Sequence, residues 1–167
     1  MSAFAPTVSI NSVLDIDEKL LDTYGIKVLL LDLDNTLSLH GSPMAEKGIF
    51  EWLSKMKSLD IKMIVISNNT NKRVKPLAEA LGLDYVANGW KPFTFGITRG
   101  LKRLNADKKH SAMVGDQLFT DILGGNIKGV KTILVEPFHI EKGWLFVAKR
   151  GLERLFFKRD YSKLNNK

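Results

Sequence analysis

Cysteine is absent from the 167 residues of the chain, which excludes disulfide bonds and thiolate-ligated metal sites. The three histidines, His40, His110 and His139, are scattered without the spacing of a metal-ligand set, so we interpret them as ordinary residues. No apolar run approaches membrane-spanning length, and no basic residue precedes Lys19 to begin a secretory signal. The sequence therefore predicts a cytoplasmic protein.

Glycine-rich nucleotide-binding sequences are also missing. Neither a G-x-x-x-x-G-K-[ST] loop nor a G-x-G-x-x-G sequence after a strand is present, so ATP and dinucleotides are not implied. The hydrophobic fraction of 44% and the charged fraction of 26% are typical of a soluble globular protein. A chain of this length can form one hydrophobic core without needing a second.

Short apolar runs alternate with longer segments of helical periodicity, a pattern typical of a parallel sheet covered by helices. The predicted strands lie near Lys27 to Leu31, Lys62 to Ile66, Tyr85 to Ala87, Ser111 to Val114 and Thr132 to Val135. Four helices are predicted between the strands. Two of them have apolar faces, one formed by Phe50, Leu53, Met56 and Leu59 and the next by Val74, Leu77, Ala78 and Leu81. The other two span Pro92 to Leu104 and Phe119 to Asn126. We expect a Rossmann-like α/β three-layer sandwich with a central parallel sheet of about five strands and no large cap domain.

A single domain is expected, with a catalytic core over residues 26–135. The N-terminal residues 1–25 are predicted to contain one helix from Val13 to Tyr24, capped by Asn11 or Ser12 and ended by Gly25. The C-terminal residues 136–167 form a basic, amphipathic segment. Of the net charge of +7, residues 142–167 contribute +6, so the basicity belongs to this segment.

Two aspartates follow the apolar run that ends at Leu31. Asp32 and Asp34 are two residues apart, so both side chains can converge on one face if the extended geometry persists. Two close anions are stable together when a divalent cation lies beside them or when one carboxyl holds a proton. A solvated turn would also explain the pair, whereas a calcium-binding loop fits poorly, since Thr36 and Leu37 occupy the places of an oxygen ligand and a glycine.

Polar residues follow the other predicted strands as well. They are Ser67-Asn68-Asn69, Lys91, and the run from Gly115-Asp116 to Asp121. A helix cap, a surface lysine and a tight turn would explain each one separately. Because the carboxyl ends of parallel strands line one crevice, their joint occurrence predicts a single site.

In this arrangement the chain resembles phosphatases of the haloacid dehalogenase superfamily. Asp32-Leu33-Asp34-Asn35-Thr36 resembles the first motif of that superfamily, Ser67 the second, Lys91 the third, and Gly115-Asp116 with Asp121 the fourth. The chain is similar in particular to the YqeG-type members of subclass IIIA and to phosphatidylglycerophosphate phosphatases. Further residues that carry this likeness are Arg73-Val74, Pro92, Gly124-Gly125-Asn126 and Thr132 to Val135.

The resemblance implies a Mg²⁺-dependent phosphomonoester hydrolase. By it, Asp32 attacks phosphorus to form an aspartyl-phosphate, and Asp34 acts first as general acid and then as general base. It implies phosphate binding by Ser67, Asn68 and Lys91. It also implies a Mg²⁺ ion held by Asp32, the main-chain carbonyl of Asp34 and Asp116, with Asp121 beside the metal-bound water or the lysine.

Other functions remain open at this point. A receiver-like module phosphorylated on aspartate is one, although its acid would lie on a middle strand, whereas Asp32 follows what the sequence predicts as the first. The resemblance implies phosphatidylglycerophosphate as a candidate substrate, with small phosphorylated metabolites as the alternative. The basic segment predicts peripheral attachment to an anionic membrane, docking on the core, or binding of nucleic acid in a non-catalytic role at RNA or ribosomes. The sequence carries no feature that specifies an oligomeric state.

Overall fold

A computed structural model describes residues 3–138 of the chain. Within this range six parallel strands form one sheet, in the order β1-β6-β5-β2-β3-β4. Their bounds are β1 Val8–Ile10, β2 Val28–Leu31, β3 Lys62–Ile66, β4 Asp84–Val86, β5 Ser111–Gly115 and β6 Lys131–Val135. The predicted α/β class is therefore confirmed, and each of the five predicted strands is found within one residue of its expected bounds.

The sixth strand was not predicted. β1 is three residues long and pairs with β6 at the edge of the sheet, with Val8 opposite Ile133. Its presence also corrects the expectation that the first aspartate pair follows the first strand. Asp32 follows β2, which is second in the chain and lies in the interior of the sheet.

Five α-helices connect the strands. They are α1 Glu18–Tyr24, α2 Ile49–Ser58, α3 Asn71–Ala80, α4 Phe95–Arg103 and α5 Leu123–Lys128, the last preceded by a π-helical turn over Leu118–Ile122. None of the helices in residues 3–138 is both long and apolar enough to cross a lipid bilayer.

The single N-terminal helix expected over Val13 to Tyr24 is wrong. A 3₁₀ turn occupies Val13–Asp15, and α1 begins only at Glu18. Ser12 and Asp15 close the short turn with a capping box, while the Asp17 side chain accepts a hydrogen bond from Leu20 N as the cap of α1. Two sets of capping side chains therefore divide one periodic segment into two elements.

The core lies on both faces of the sheet, because alternate residues of β2 point in opposite directions. Leu29 and Leu31 pack in a cluster with residues of α2 and α3, whereas Val28 and Leu30 pack against Ile97 of α4. This arrangement is the predicted three-layer sandwich. All four residues of the predicted α3 face, Val74, Leu77, Ala78 and Leu81, are buried.

One residue of the predicted α2 face lies on the other side of that helix. Phe50 is 55% exposed, and the buried face instead contains Ile49, Trp52, Leu53 and Met56. Trp52 also donates a hydrogen bond from Nε1 to the Ile16 carbonyl at 3.0 Å. Burial of the indole with this bond sets the rotation of α2 and leaves Phe50 outside.

Candidate active site

Three carboxylates meet at the carboxyl edge of the sheet. Asp32 directly follows β2, Asp116 follows β5, and Asp121 lies in the π-helical turn. One oxygen atom from each residue lies within 4.8 Å of the others, and all three side chains are buried. The central position of β2 next to β5 brings Asp32 and Asp116 together although they are far apart in sequence.

Gly115 allows Asp121 to approach the end of β5. A Cβ atom added at Gly115 would lie 2.3 Å from the Asp121 Cγ, a distance that real Cβ atoms do not reach. Asp121 Oδ2 accepts a hydrogen bond from the Gln117 main-chain N at 3.1 Å, which holds the turn in place. The Gly-Asp sequence and the turn after it therefore place a second acid beside Asp116.

Lys91 lies between two of these acids. Its Nζ is 2.6 Å from Asp32 Oδ1 and 2.7 Å from Asp121 Oδ1, and it donates a further hydrogen bond to the Ile66 carbonyl at 2.7 Å. The side chain is 2% exposed. Two of the three N–H donors of this ammonium group therefore bond to Asp32 and to the Ile66 carbonyl, while the Asp121 carboxylate faces it as an ion pair.

Asn68 fixes the backbone of this lysine. Its side-chain amide donates to the Lys91 carbonyl at 2.9 Å, and its Oδ1 accepts from the Lys91 main-chain N at 2.7 Å. One Nδ2 N–H of Asn68 is therefore bound to the Lys91 carbonyl, which leaves the second Nδ2 N–H and the main-chain N–H for the phosphate contact that we predicted. Ser67 is buried at the end of β3, and its Oγ accepts from the Asn69 main-chain N at 3.1 Å.

Burial raises the pKa of Asp32 to about 8, against the lowering effect of Lys91 and with a further contribution from the charges of Asp121 and Asp116. Burial acts to lower the pKa of Lys91, but the Asp121 and Asp32 carboxylates outweigh it and raise that pKa above its ordinary value. The site therefore holds more negative charge than its lysine neutralises, and a further cation would lower its energy.

Asp34 points into a separate set of contacts on the same edge. Its Oδ1 accepts hydrogen bonds from the Arg73 guanidinium at 2.7 Å and from the Gly41 main-chain N at 3.0 Å. Its Oδ2 accepts from Asn69 Nδ2 at 2.6 Å. Our sequence reasoning assigned no role to Arg73 or Asn69, because both lie more than thirty positions from Asp34 and their contact with it follows only from the pairing of β2 with β3.

The residues present fit a small divalent cation. Carboxylate oxygens are the ligands preferred by Mg²⁺, and the buried Asp32, Asp116 and Asp121 provide them from three segments within a few ångströms. Asp121 lies as near to this point as the other two acids, whereas we predicted it beside the metal rather than among its ligands. All predicted site residues, Asp32, Asp34, Ser67, Asn68, Lys91, Asp116 and Asp121, follow the carboxyl ends of strands on this edge.

A family model described as haloacid dehalogenase-like hydrolase matches residues 39–135. The match covers more than half of the chain and begins after the first aspartate pair. The placement of Asp32 and Asp34 beside the other motifs therefore comes from the geometry of β2, which the matched range does not include.

The curated relatives of the chain include two that are named as phosphatases and that align with most of it. The chain is 34% identical over 151 residues to "Probable phosphatase YqeG" of Bacillus subtilis (strain 168), covering 90% of this chain and 88% of that protein. It is 26% identical over 164 residues to "Phosphatidylglycerophosphate phosphatase 1, chloroplastic/mitochondrial" of Arabidopsis thaliana, covering 92% of this chain. The alignment covers 47% of the Arabidopsis protein, so this chain spans about half its length.

A solved structure shows the same fold. It is the cobalt-bound form of the deoxy-D-mannose-octulosonate 8-phosphate phosphatase YrbI from Haemophilus influenzae. The TM-score is 0.54 at 15% identity, and the match covers 67% of this chain and 69% of that one. At this identity the likeness concerns the arrangement of strands and helices alone.

Proposed function

Because the chain belongs to the haloacid dehalogenase-like hydrolase family and is a phosphoric monoester hydrolase, we propose that it forms an aspartyl-phosphate on Asp32. The observation that carries this proposal is the position of the Asp32 carboxylate. It is buried at the end of an interior strand, 2.6 Å from a lysine and next to two further acids. A carboxylate held this way is a suitable nucleophile for phosphorus once its charge is balanced.

In the first step, an Asp32 oxygen attacks phosphorus while the bond from phosphorus to the leaving oxygen breaks. Asp34 donates a proton to that oxygen, so the product leaves as an alcohol. In the second step, water attacks the phosphorus of the aspartyl-phosphate, Asp34 takes the proton from the water, and the Asp32 carboxylate is regenerated with release of inorganic phosphate. The second step thus reverses the changes made in the first, and after both steps together each residue is back in its starting state.

The remaining side chains bind and orient the phosphoryl group. Lys91 exchanges one of its protein acceptors for a phosphoryl oxygen, and the Ser67 hydroxyl and the Asn68 main-chain N–H donate to the others. A bound Mg²⁺ ion, held by Asp32, the Asp34 carbonyl and Asp116 with Asp121 adjacent, would supply charge neutralisation at the transferring group. Positioning and charge balance of this kind account for most catalysis of phosphoryl transfer.

The test is the Asp32→Asn variant, assayed for phosphate release with Mg²⁺ and with EDTA. We expect activity to fall to background while the circular dichroism spectrum remains that of the wild type, because asparagine has the same shape but cannot form the acyl phosphate. Asp60→Asn is the matched control, since Asp60 is exposed and lies just before β3, at the opposite edge of the sheet. Substantial phosphate release by Asp32→Asn would refute the nucleophile.

We further propose phosphatidylglycerophosphate as the substrate. The Arabidopsis relative supports this choice. So does the surface beside the site, where Trp90 and Phe93 flank the Lys91-Pro92 dipeptide and are 67% and 64% exposed. Exposed aromatic side chains next to a phosphate site suit a substrate presented in a lipid surface.

Substrate choice is measured by comparing phosphate release from phosphatidylglycerophosphate in mixed micelles with release from sn-glycerol 3-phosphate, a small phosphorylated metabolite. We expect the lipid to be the better substrate by kcat/KM. Equal or better turnover of the soluble compound would identify a metabolite phosphatase instead. The basic segment predicted to bind membranes or nucleic acid lies outside the described residues.

A further inference from the structure

Arg73 has more hydrogen-bonding capacity than its protein contacts use. It is the third residue of α3, and its side chain is 22% exposed at the carboxyl edge of the sheet. Within residues 3–138 its guanidinium makes one hydrogen bond, from Nη2 to Asp34 Oδ1 at 2.7 Å. Since a guanidinium has five N–H donors, the other four have no protein acceptor within residues 3–138.

The contact of Arg73 with Asp34 indicates where the guanidinium lies relative to a bound substrate. If Asp34 protonates the leaving oxygen, as in the proposed function on which this inference rests, that oxygen lies within a hydrogen-bond length of the Asp34 carboxylate. The Arg73 guanidinium is then roughly 5–7 Å from the leaving oxygen. Lys91 and the three clustered acids surround the phosphoryl group, so Arg73 lies on the side of the leaving group.

The beginning of α3 adds positive potential at the same place. Thr70 is the N-cap residue, but its side chain makes no capping hydrogen bond. The N-terminus of a ten-residue helix carries a partial positive charge, and here no side-chain oxygen of Thr70 offsets it. An oxyanion beside Arg73 would therefore be stabilised by both the guanidinium and the helix.

We propose that Arg73 forms a second anion-binding site, which takes a carboxylate or phosphate group carried by the leaving-group part of the substrate. Guanidinium binds both groups through paired, charge-assisted hydrogen bonds. Arg73 retains its contact with Asp34 through Nη2 and offers its remaining donors to the substrate. The site thereby selects phosphomonoesters whose alcohol product is itself an anion.

A purely structural role for Arg73, holding Asp34 in place, predicts a different result. Loss of the arginine would then lower turnover of every substrate by the same factor. A second anion site instead makes the loss depend on the substrate, and places it mainly in KM. The two roles are separated by a pair of substrates that differ only in the second charge.

The first experiment compares 3-phosphoglycerate with sn-glycerol 3-phosphate, in which a hydroxymethyl group replaces the carboxylate. For the wild type with Mg²⁺ we expect kcat/KM to favour the carboxylate compound about 10- to 100-fold, the usual effect of one charge-assisted contact. Arg73→Gln should reduce the ratio to about one, mainly by raising KM, and Arg73→Lys should restore part of it. Lys72→Gln is the matched control, because Lys72 is the exposed neighbour on α3 and should keep the wild-type ratio.

The second experiment measures binding without turnover, by calorimetry of the same two compounds with Asp32→Asn in the presence of Mg²⁺. We expect the carboxylate compound to bind about 10-fold or more tightly, and the added Arg73→Gln substitution to remove that difference. Equal binding of both compounds by Asp32→Asn, binding of neither, or an equal loss of activity on both in Arg73→Gln would overturn the second site. Failure of the wild type to hydrolyse any phosphomonoester would instead refute the proposed function.

Discussion

Replacing Lys91 by methionine should destabilise the metal-free protein strongly. Methionine has a similar unbranched shape, so the substitution removes the charge and its hydrogen bonds while largely keeping the packing. Asp32 and Asp121, at 2.6 and 2.7 Å from the ammonium, then remain buried without a facing cation. Removal of one partner from a buried ion pair costs about 3–5 kcal/mol, because the other charge stays desolvated.

For a domain of this size, 1 kcal/mol corresponds to about 2–4 °C in Tm, so we expect Lys91→Met to lower Tm by about 6–20 °C. The assay is thermal and urea unfolding followed by circular dichroism, in EDTA at pH 7.5. Part of the lost stability should return at pH 5, where the remaining acids bind protons more readily.

Lys75→Met is the matched control. Lys75 pairs with Glu79 one helical turn away at 3.7 Å, with side chains 51% and 60% exposed. Such a surface pair contributes at most about 0.5 kcal/mol, so Tm should change by no more than about 2 °C. If Lys91→Met unfolds as close to the wild type as Lys75→Met does, the buried ion network does not carry the stability assigned to it.

Two further predictions concern the same acids. Because the folded-state pKa of Asp32 is raised to about 8, the stability that its protonated form contributes is present below about pH 4 and is lost as the pH rises to about 8. The free energy of unfolding in EDTA should therefore fall more steeply over about pH 5–8 in the wild type than in Asp32→Asn. Parallel curves for the two proteins would contradict the raised pKa. Gly115→Ala should displace Asp121, because the Asp121 Cγ would lie 2.3 Å from the new Cβ. We expect kcat to fall by about 100-fold while the circular dichroism spectrum remains that of the wild type. A wild-type kcat in this variant would show that catalysis does not depend on the exact position of Asp121.

The parts of the fold that could be predicted from sequence are those with continuous apolar runs. The residues of β2 are all buried, and such a run has few alternatives to an interior parallel strand. β1 offers no comparable signal, because Val8 and Ile10 are only partly buried, Ser9 is exposed, and the strand pairs on one side only. The N-terminal segment is divided into a 3₁₀ turn and α1 because Ser12 and Asp17 both act as capping residues. Helical periodicity alone does not indicate which of several possible caps is used.

The candidate site shows the same limit. Short motifs predicted which residues gather at the sheet edge, since each follows a strand whose direction is fixed by the parallel topology. They did not predict that Asn68 would bind the Lys91 backbone or that Arg73 would bind Asp34. These contacts join residues 23 and 39 positions apart, and they depend on side-chain conformation rather than on sequence spacing.

The three hydrogen bonds accepted by Asp34 join the loop at Gly41, the end of β3 at Asn69 and the first turn of α3 at Arg73. Besides the proton transfer that we propose for it, this carboxylate connects three stretches of backbone at the edge of the sheet. Truncation at Asp34 would release all three at once. Activity lost in such a variant would reflect both the release of these backbone segments and the loss of the carboxyl group. Asp34→Asn would separate the two effects, because asparagine keeps most of the hydrogen bonds but cannot act as an acid.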